Sequence, residues 1–456
     1  MNRYCLAALL IAAGCGAGST DISGAGGGRA GTGGGAGAAG GGGGGMSGGA
    51  SGGGGATGCP DADKDGYTTC AGDCNDNDAS IHPGATETLN GKDDDCDGII
   101  DNHIAGRDFD MDGTPYPQDC NDNDPLIGPM AIEDPTNKVD DDCDGVIDEP
   151  VDVCDGTAGT TADDYAKAIG LCSTAAFPIV TSATFGTGDP TSRSIRAKFG
   201  DSFAPREGSK MIMLSTGKAV DKYDDPTYHP QNGFNFGTSQ VHPLYSAPRC
   251  AVPTATPPAN DVSELTLTLK VPQNAKGISF NFTFFSAEYP EWSCTDYNDR
   301  FLAILESSAL DPTKLTGQCV TSATRPTCNI SFDSTNQPVS VNNGFFDICV
   351  SDSGGAGPTW SNTCTKPTTL LVKTGYEEML VCGPGSRFAG VTKMAGGATG
   401  WLKSTAPVKA LETIVLRFIV LDEGDGNLDS SVLIDNLKWE LAPVTATPVT
   451  VDPGIN

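Results

Sequence analysis

The chain predicts a mainly β protein. Its head is an antiparallel, jelly-roll-like β-sandwich, preceded by a disordered Gly-rich linker and a loop-rich repeat region held by disulfides and Ca²⁺. Three observations lead there. Apolar residues alternate with polar ones in several stretches between Leu265 and Trp439, the period of strands with one buried face. The pattern D-x-D-x-D-G occurs four times between Asp61 and Gly145. The chain carries 17 cysteines and no C-x-x-C pair, a pattern of disulfides in an oxidising compartment.

The elements follow in order. Asn2-Arg3 and the apolar run from Tyr4 to Ala13 suit a secretory signal, and the run is too short to span a bilayer. The run ends Ile11-Ala12-Ala13-Gly14-Cys15-Gly16. That ending resembles a bacterial lipobox, and the resemblance implies residues 1–15 as the signal, acylation of Cys15, and a membrane as partner through the lipid. An ordinary signal peptide, cut elsewhere, is the other reading. Residues 16–58 hold 24 Gly among 43 residues, so they have almost nothing to bury and read as a flexible tether.

Residues 59–150 are a two-fold repeat. Asp61 maps to Asp108, Cys96 to Cys143 and Asp101 to Asp148 at an offset of 47, and Cys74 maps to Cys120 at 46. From Cys59 to Asp155 there are 28 Asp plus Glu against 4 Lys plus Arg, a net of −24 within a total of −30. Such a segment repels itself without cations, and its acidity argues against nucleic acid as a partner. Its apolar residues, clearest at Ile99, Ile100, Val146 and Ile147, are too few for a core. Metal and disulfide must take that role. Position in the repeat suggests Cys74 with Cys96 and Cys120 with Cys143, and Cys59 and Cys70 flank the first loop.

Residues 151–445 read as the head, with a helix at about 162–171 capped by Thr161. Cys154 and Cys172 bracket that helix, and Cys319 and Cys328 are close in sequence. Residues 446–456 are expected to be a loose tail.

Each D-x-D-x-D-G loop places carboxylates at positions 1, 3 and 5. Gly at position 6 turns the chain so that the carbonyl of residue 7 comes round. The candidate ligands are therefore Asp61, Asp63, Asp65 and Tyr67; Asp93, Asp95, Asp97 and Ile99; Asp108, Asp110, Asp112 and Thr114; and Asp140, Asp142, Asp144 and Val146. Asp101 and Asp148 stand at position 9 of their loops. Asp119 is at position 12 of its loop, and Asp73 is one past it in the first. All-oxygen sets suit Ca²⁺; Mg²⁺ dehydrates reluctantly, and copper or zinc would want His, of which the chain has only four. The role expected for the ions is structural.

The loops resemble thrombospondin type 3 repeats. With Asp73–Asp78, Pro83-Gly84-Ala85 with Glu87, and Asn90–Asp101, they resemble more closely the Asp-rich metal-binding-motif repeats of bacterial surface proteins. The head resembles the choice-of-anchor L domain. The residues that carry this are Asp163–Ala166, Leu214–Gly217, Phe284–Glu291, Asn298–Phe301 and Asp425–Asn436. This resemblance implies a secreted or surface protein and no known chemistry.

Two acid groups in the head, Glu288, Glu291 and Asp299, and Asp422, Glu423, Asp425, Asp429 and Asp435, read either as ligands of a further cation or as solvated turn formers. Ser351–Gly355 mimics a protease nucleophile loop, but the head's histidines, His229 and His242, both precede Pro in loop-like stretches. The reading is a non-catalytic, lipid-anchored surface protein whose head recognises an extracellular glycan or protein. A glycan hydrolase in the head and a metal-sequestering repeat region are the alternatives.

Overall fold

The computed structural model describes residues 59–149, 154, 159–173, 177–186, 188–245, 256–293, 295, 297–320, 323–342, 345–351, 363–382, 389–394 and 396–453. The signal, Cys15 and the Gly-rich linker lie outside the described residues, as does most of the Ser351–Gly355 stretch. The described chain falls into two compact units, 59–101 and 102–453.

The head is built from two seven-stranded antiparallel sheets. The first runs β1 (Val180–Phe185), β5 (Ala259–Lys270), β14 (Thr413–Glu423), β7 (Arg300–Glu306), β8 (Thr327–Asn329); β4 (Ser239–Gln240) pairs with β5 and β9 (Val339–Ser340) with β7. The second runs β16 (Val449–Val451), β13 (Leu402–Pro407), β6 (Gly277–Ser286), β15 (Ser430–Glu440), β3 (Met211–Ser215), β2 (Arg193–Arg196), with β12 (Gly397–Ala398) on β6. A separate hairpin joins β10 (Met379–Val381) to β11 (Thr392–Met394).

Alternation explains how the sheets meet. Leu265, Leu267 and Leu269 of β5 and Ile414, Leu416 and Phe418 of β14 share one buried cluster with Phe280, Phe282 and Phe284 of β6 and Val432 and Ile434 of β15. The inward faces of both sheets thus form one core, which is a sandwich. Fully burying each such side chain contributes about 1.5–3 kcal/mol.

The expectation of a single buried face needs correction. Every residue of β6 is buried. Met211, Met213, Phe285 and Leu433, on the outer face of the second sheet, pack under Phe199, Phe203, Leu371 and Tyr376. Leu302, Ile304, Ile419 and Leu421 form a third cluster with Leu244. Long connections fold back over both sheets, so the central strands carry apolar residues on both sides.

The helix α1 (Ala162–Ala168) is shorter than predicted. Thr161 and Asp164 form a full capping box at its start. Gly170, at φ +104°, takes the chain out of helical geometry.

The tail is a second correction. Val449–Val451 pairs with β13, with Lys403 opposite Val451 and Thr405 opposite Val449. Thr450 is buried, and its hydroxyl lies 2.8 Å from Ser404 Oγ and accepts from Phe332 N at 3.2 Å. The tail thus covers the open edge of the second sheet.

Disulfides join Cys59–Cys70, Cys74–Cys96, Cys120–Cys143, Cys154–Cys172, Cys319–Cys328 and Cys349–Cys364 among the described residues. The last pair was not legible in the sequence.

The second repeat belongs to the same compact unit as the head, so the unit boundary falls after Asp101 rather than at 150. Gln273 and Asn274, just past β5, make the junction. Gln273 N donates to Met130 O at 2.9 Å, and its Nε2 to Ile127 O at 2.8 Å. Asn274 accepts from Ile132 N at 3.1 Å and donates to Ile132 O at 2.7 Å.

Candidate metal sites in the repeats

The four D-x-D-x-D-G loops adopt one frame. In each, the Gly at position 6 donates its N–H to the first aspartate: Gly66 to Asp61, Gly98 to Asp93, Gly113 to Asp108 and Gly145 to Asp140, at 2.9–3.2 Å. The third residue accepts from the fifth: Asp63 from Asp65, Asp95 from Asp97, Asp110 from Asp112 and Asp142 from Asp144, at 3.1–3.3 Å. The fifth accepts from the seventh: Asp65 from Tyr67, Asp97 from Ile99, Asp112 from Thr114 and Asp144 from Val146, at 2.6–2.8 Å. Gly at position 6 has φ between +93° and +104° in all four, which a side chain would strain.

The first-position aspartates Asp61, Asp93 and Asp140 accept through both oxygens, whereas Asp63, Asp65 and Asp110 each keep one buried oxygen without a donor. In the first loop Asp63 Oδ2, Asp65 Oδ2 and Asp73 Oδ2 are buried and accept no hydrogen bond. Ligand oxygens of Asp63, Asp65 and Asp73 lie within 4.8 Å of one another, as do those of Asp61, Asp63 and Asp76. In the third loop Asp110 Oδ2, Asp119 Oδ2 and Asp122 Oδ2 are in the same position. Burial pushes the Asp119 carboxyl up to about 6, and the nearby Asp112, Asp110 and Asp122 add to it. Asp110, Asp112 and Asp122 are raised for the same reasons. Buried oxygens without donors, packed against like charge, are unfavourable until a cation sits among them.

Asp76 and Asp122 were missed as candidate ligands. They are equivalent at an offset of 46, and each anchors its loop by accepting a backbone N–H: Asp76 from Ala62 and Asp122 from Phe109, both at 3.1 Å. Recurrence in both copies was the available signal.

The other two loops recruit a glutamate that sequence reading did not list as a ligand. Glu87 Oε1 accepts from Asp95 N at 2.7 Å, its Oε2 is buried without a partner, and Glu87 groups with Asp93 and Asp95 within 4.8 Å. Glu133 takes the matching place, its Oε1 accepting from Asp141 N at 2.7 Å and Asp142 N at 3.0 Å, but its Oε2 is occupied by Asp148 N at 3.1 Å.

Asp101 and Asp148 also bind backbone amides. Asp101 accepts from the Asn90 and Gly91 amides at 2.8 Å, and Asp148 from Lys138 N at 2.8 Å, so both close their loops. Ile99, Ile100, Val146 and Ile147 are exposed, 41–59% accessible, and the buried apolar residues of the repeats are instead Ile81, Ile127 and Ala131. The chemistry of the donors is informative. The groups around Asp61–Asp76 and Glu87–Asp95 are carboxylates only. The sulfurs near Asp119, of Cys120 and Cys143, are tied in a disulfide and are not thiolates. The carboxylate-only groups favour a hard cation.

Comparison with known proteins agrees with this layout. A family model described as "Choice-of-anchor L domain" matches residues 178–438. A second, described as "Putative metal-binding motif", matches residues 73–102 and 119–149. No curated protein matches the chain. No solved structure matches it.

Proposed function

Because the chain belongs to the choice-of-anchor L family, we propose that it is a secreted cell-surface protein held to a membrane through Cys15, with Ca²⁺ filling the repeat loops and a head that binds an extracellular glycan or protein. Neither matching family is a catalytic one. The observation that carries the calcium reading is the set of buried Asp oxygens without donors at Asp63, Asp65, Asp73, Asp110, Asp119 and Asp122. Calcium's part is to neutralise and stiffen a segment without an apolar interior.

The test is a calorimetric titration of the metal-stripped chain with Ca²⁺, Mg²⁺, Cu²⁺ and Zn²⁺. Several Ca²⁺ ions are expected to bind, with Mg²⁺ weaker. Tighter copper or zinc binding would favour sequestration instead. The response to pH has a definite sign. In the metal-free fold the Asp119 pKa is raised to about 6, above its unfolded value. Protonation therefore favours that fold at low pH, and the contribution is lost as pH rises through about 6. Calcium needs the ionised form, so its affinity should fall as pH drops through 6. An affinity that is flat from pH 5 to pH 7 counts against Asp119 as a ligand.

For the head's ligand we propose the cleft lined by Glu133, Lys167, Glu207, Asp435, Trp439 and Leu441. Burial pushes Asp435 up to about 7, a value a glycosidase acid would use. However, its oxygens already accept from the Arg206, Glu207 and Asn436 amides, which favours binding over catalysis. A glycan array should give hits that Trp439→Ala removes. Unchanged hits would move the ligand elsewhere on the head.

A further inference from the structure

The end of β14 and the turn that follows it read Asp422-Glu423-Gly424-Asp425-Gly426-Asn427-Leu428-Asp429. Apart from Asp425, whose Oδ2 accepts from Asn427 Nδ2 at 2.8 Å, the acids of this stretch are not solvated turn formers. Asp422 is 2% exposed, and two acids from other strand ends share its burial: Glu288 at 1%, just past β6, and Asp299 at 0%, just before β7. Carboxylates from both sheets therefore meet at one end of the sandwich.

The contacts are close. Asp299 N lies 3.5 Å from Glu288 Oε2. The carboxyls of Asp299 and Asp422 are within hydrogen-bonding reach of each other. Asp299 is held by Glu423 N at 3.1 Å and Ser430 Oγ at 2.6 Å. The charges acting most strongly on Glu288 are those of Asp299, Asp425 and Glu423, all negative. Burial drives Glu288 and Asp422 far up and Asp299 to about 8.

Another acid, Glu423, sits against the basic side chains at this end. Arg300 Nη2 pairs with Glu423 Oε1 at 3.0 Å, and His242 Nε2 lies 3.4 Å from Glu423 Oε2. A second, independent observation points to a ligand: Asp422 Oδ1 is buried and accepts no hydrogen bond. Protons shared among these acids would relieve the repulsion but would leave that oxygen unpaired. A cation answers both at once. Asp425 is half-buried at the rim, beside Gly424 at φ +103°, and offers a further carboxylate next to solvent.

We propose that Glu288, Asp299, Asp422 and Asp425 bind one divalent cation of the calcium class, which joins the ends of β6, β7 and β14. Such an ion takes six to eight oxygens, so peptide carbonyls or waters complete the shell. The site is separate from the repeat loops in sequence and in donors.

The experiment counts Ca²⁺ per full-length chain by elemental analysis after stripping and reloading, in the parent and in Asp422→Asn, Asp425→Asn and Asp119→Asn. Asp422→Asn should lose one ion and part of the calcium-dependent rise in the head's melting temperature. Asp425→Asn, at the rim, should fold as the parent does by circular dichroism and show weaker binding of that one ion; it decides the matter if Asp422→Asn does not fold. The proposal is overturned if Asp425→Asn binds Ca²⁺ with the parent's number and affinity. It is also overturned if Asp422→Asn raises the melting temperature equally with and without Ca²⁺, which is the signature of a protonated cluster. Loss of an ion in Asp119→Asn alone would leave the repeat reading standing and this one refuted; loss in the head variants alone would do the reverse.

Discussion

Stripping calcium from the folded chain should open the first repeat to trypsin at Lys64 and Lys92, while the parent in millimolar Ca²⁺ stays intact there. Both lysines are exposed, and both sit in or beside aspartate loops, Lys64 at φ +68° within the first. Residues 59–101 contain little else to hold them. Ile81 is the one buried large apolar side chain among the described residues of that unit, and Cys59–Cys70 and Cys74–Cys96 join loop to loop without supplying a core. With the ions gone, the inward oxygens of Asp63, Asp65 and Asp73 repel one another, and extension relieves them. A reducing gel is needed to see the cuts, since the disulfides would keep nicked pieces together. The second repeat should resist longer, because Gln273 bonds to Ile127 O and to Asp112 Oδ2, and Asn274 holds Ile132. Equal rates of cutting at Lys64 and Lys92 with and without chelator would remove calcium from its structural role.

Phe418→Ala should cost the head about 3–5 kcal/mol, read as a lower urea midpoint for the buried tryptophan signal. Phe418 is fully buried on β14 and meets rings from both sheets: Phe280 of β6 edge-on at 4.9 Å and Phe301 of β7 stacked at 6.4 Å. Removing it takes away the central contact between the layers and leaves a cavity that neighbours on paired strands cannot move to fill. Ile100→Ala, by contrast, alters a side chain that is 59% exposed and should leave that midpoint unchanged. A loss under about 1 kcal/mol for Phe418→Ala would mean that the layers do not meet at this ring.

Different parts of the molecule were legible to different degrees. The strands at 265–271, 278–284, 414–420 and 432–439 could be read because a period of two is a local signal. β3 (Met211–Ser215) and β7 were not read, because their apolar runs, Met211–Leu214 and Phe301–Leu305, are unbroken and carry no alternation. Asp61 to Asp65 could be read as candidate ligands, whereas Asp76 and Glu87 join the acidic groups only when the chain folds back on itself. The same holds for β16: a tail of Pro, Thr and Val looks loose until an open sheet edge is known to wait for it.

What the amino-acid order alone determined was the set of cation loops, the pairing of cysteines within each repeat and a β-sandwich head, since each of these is set within a few residues or by one repeat offset. Tertiary structure alone decided that β14 lies between β5 and β7, that both sheets are covered on their outer faces, and that Asp299 and Asp422 come together. Contacts between distant segments depend on how whole layers pack, and packing leaves no periodic trace in the chain that makes it.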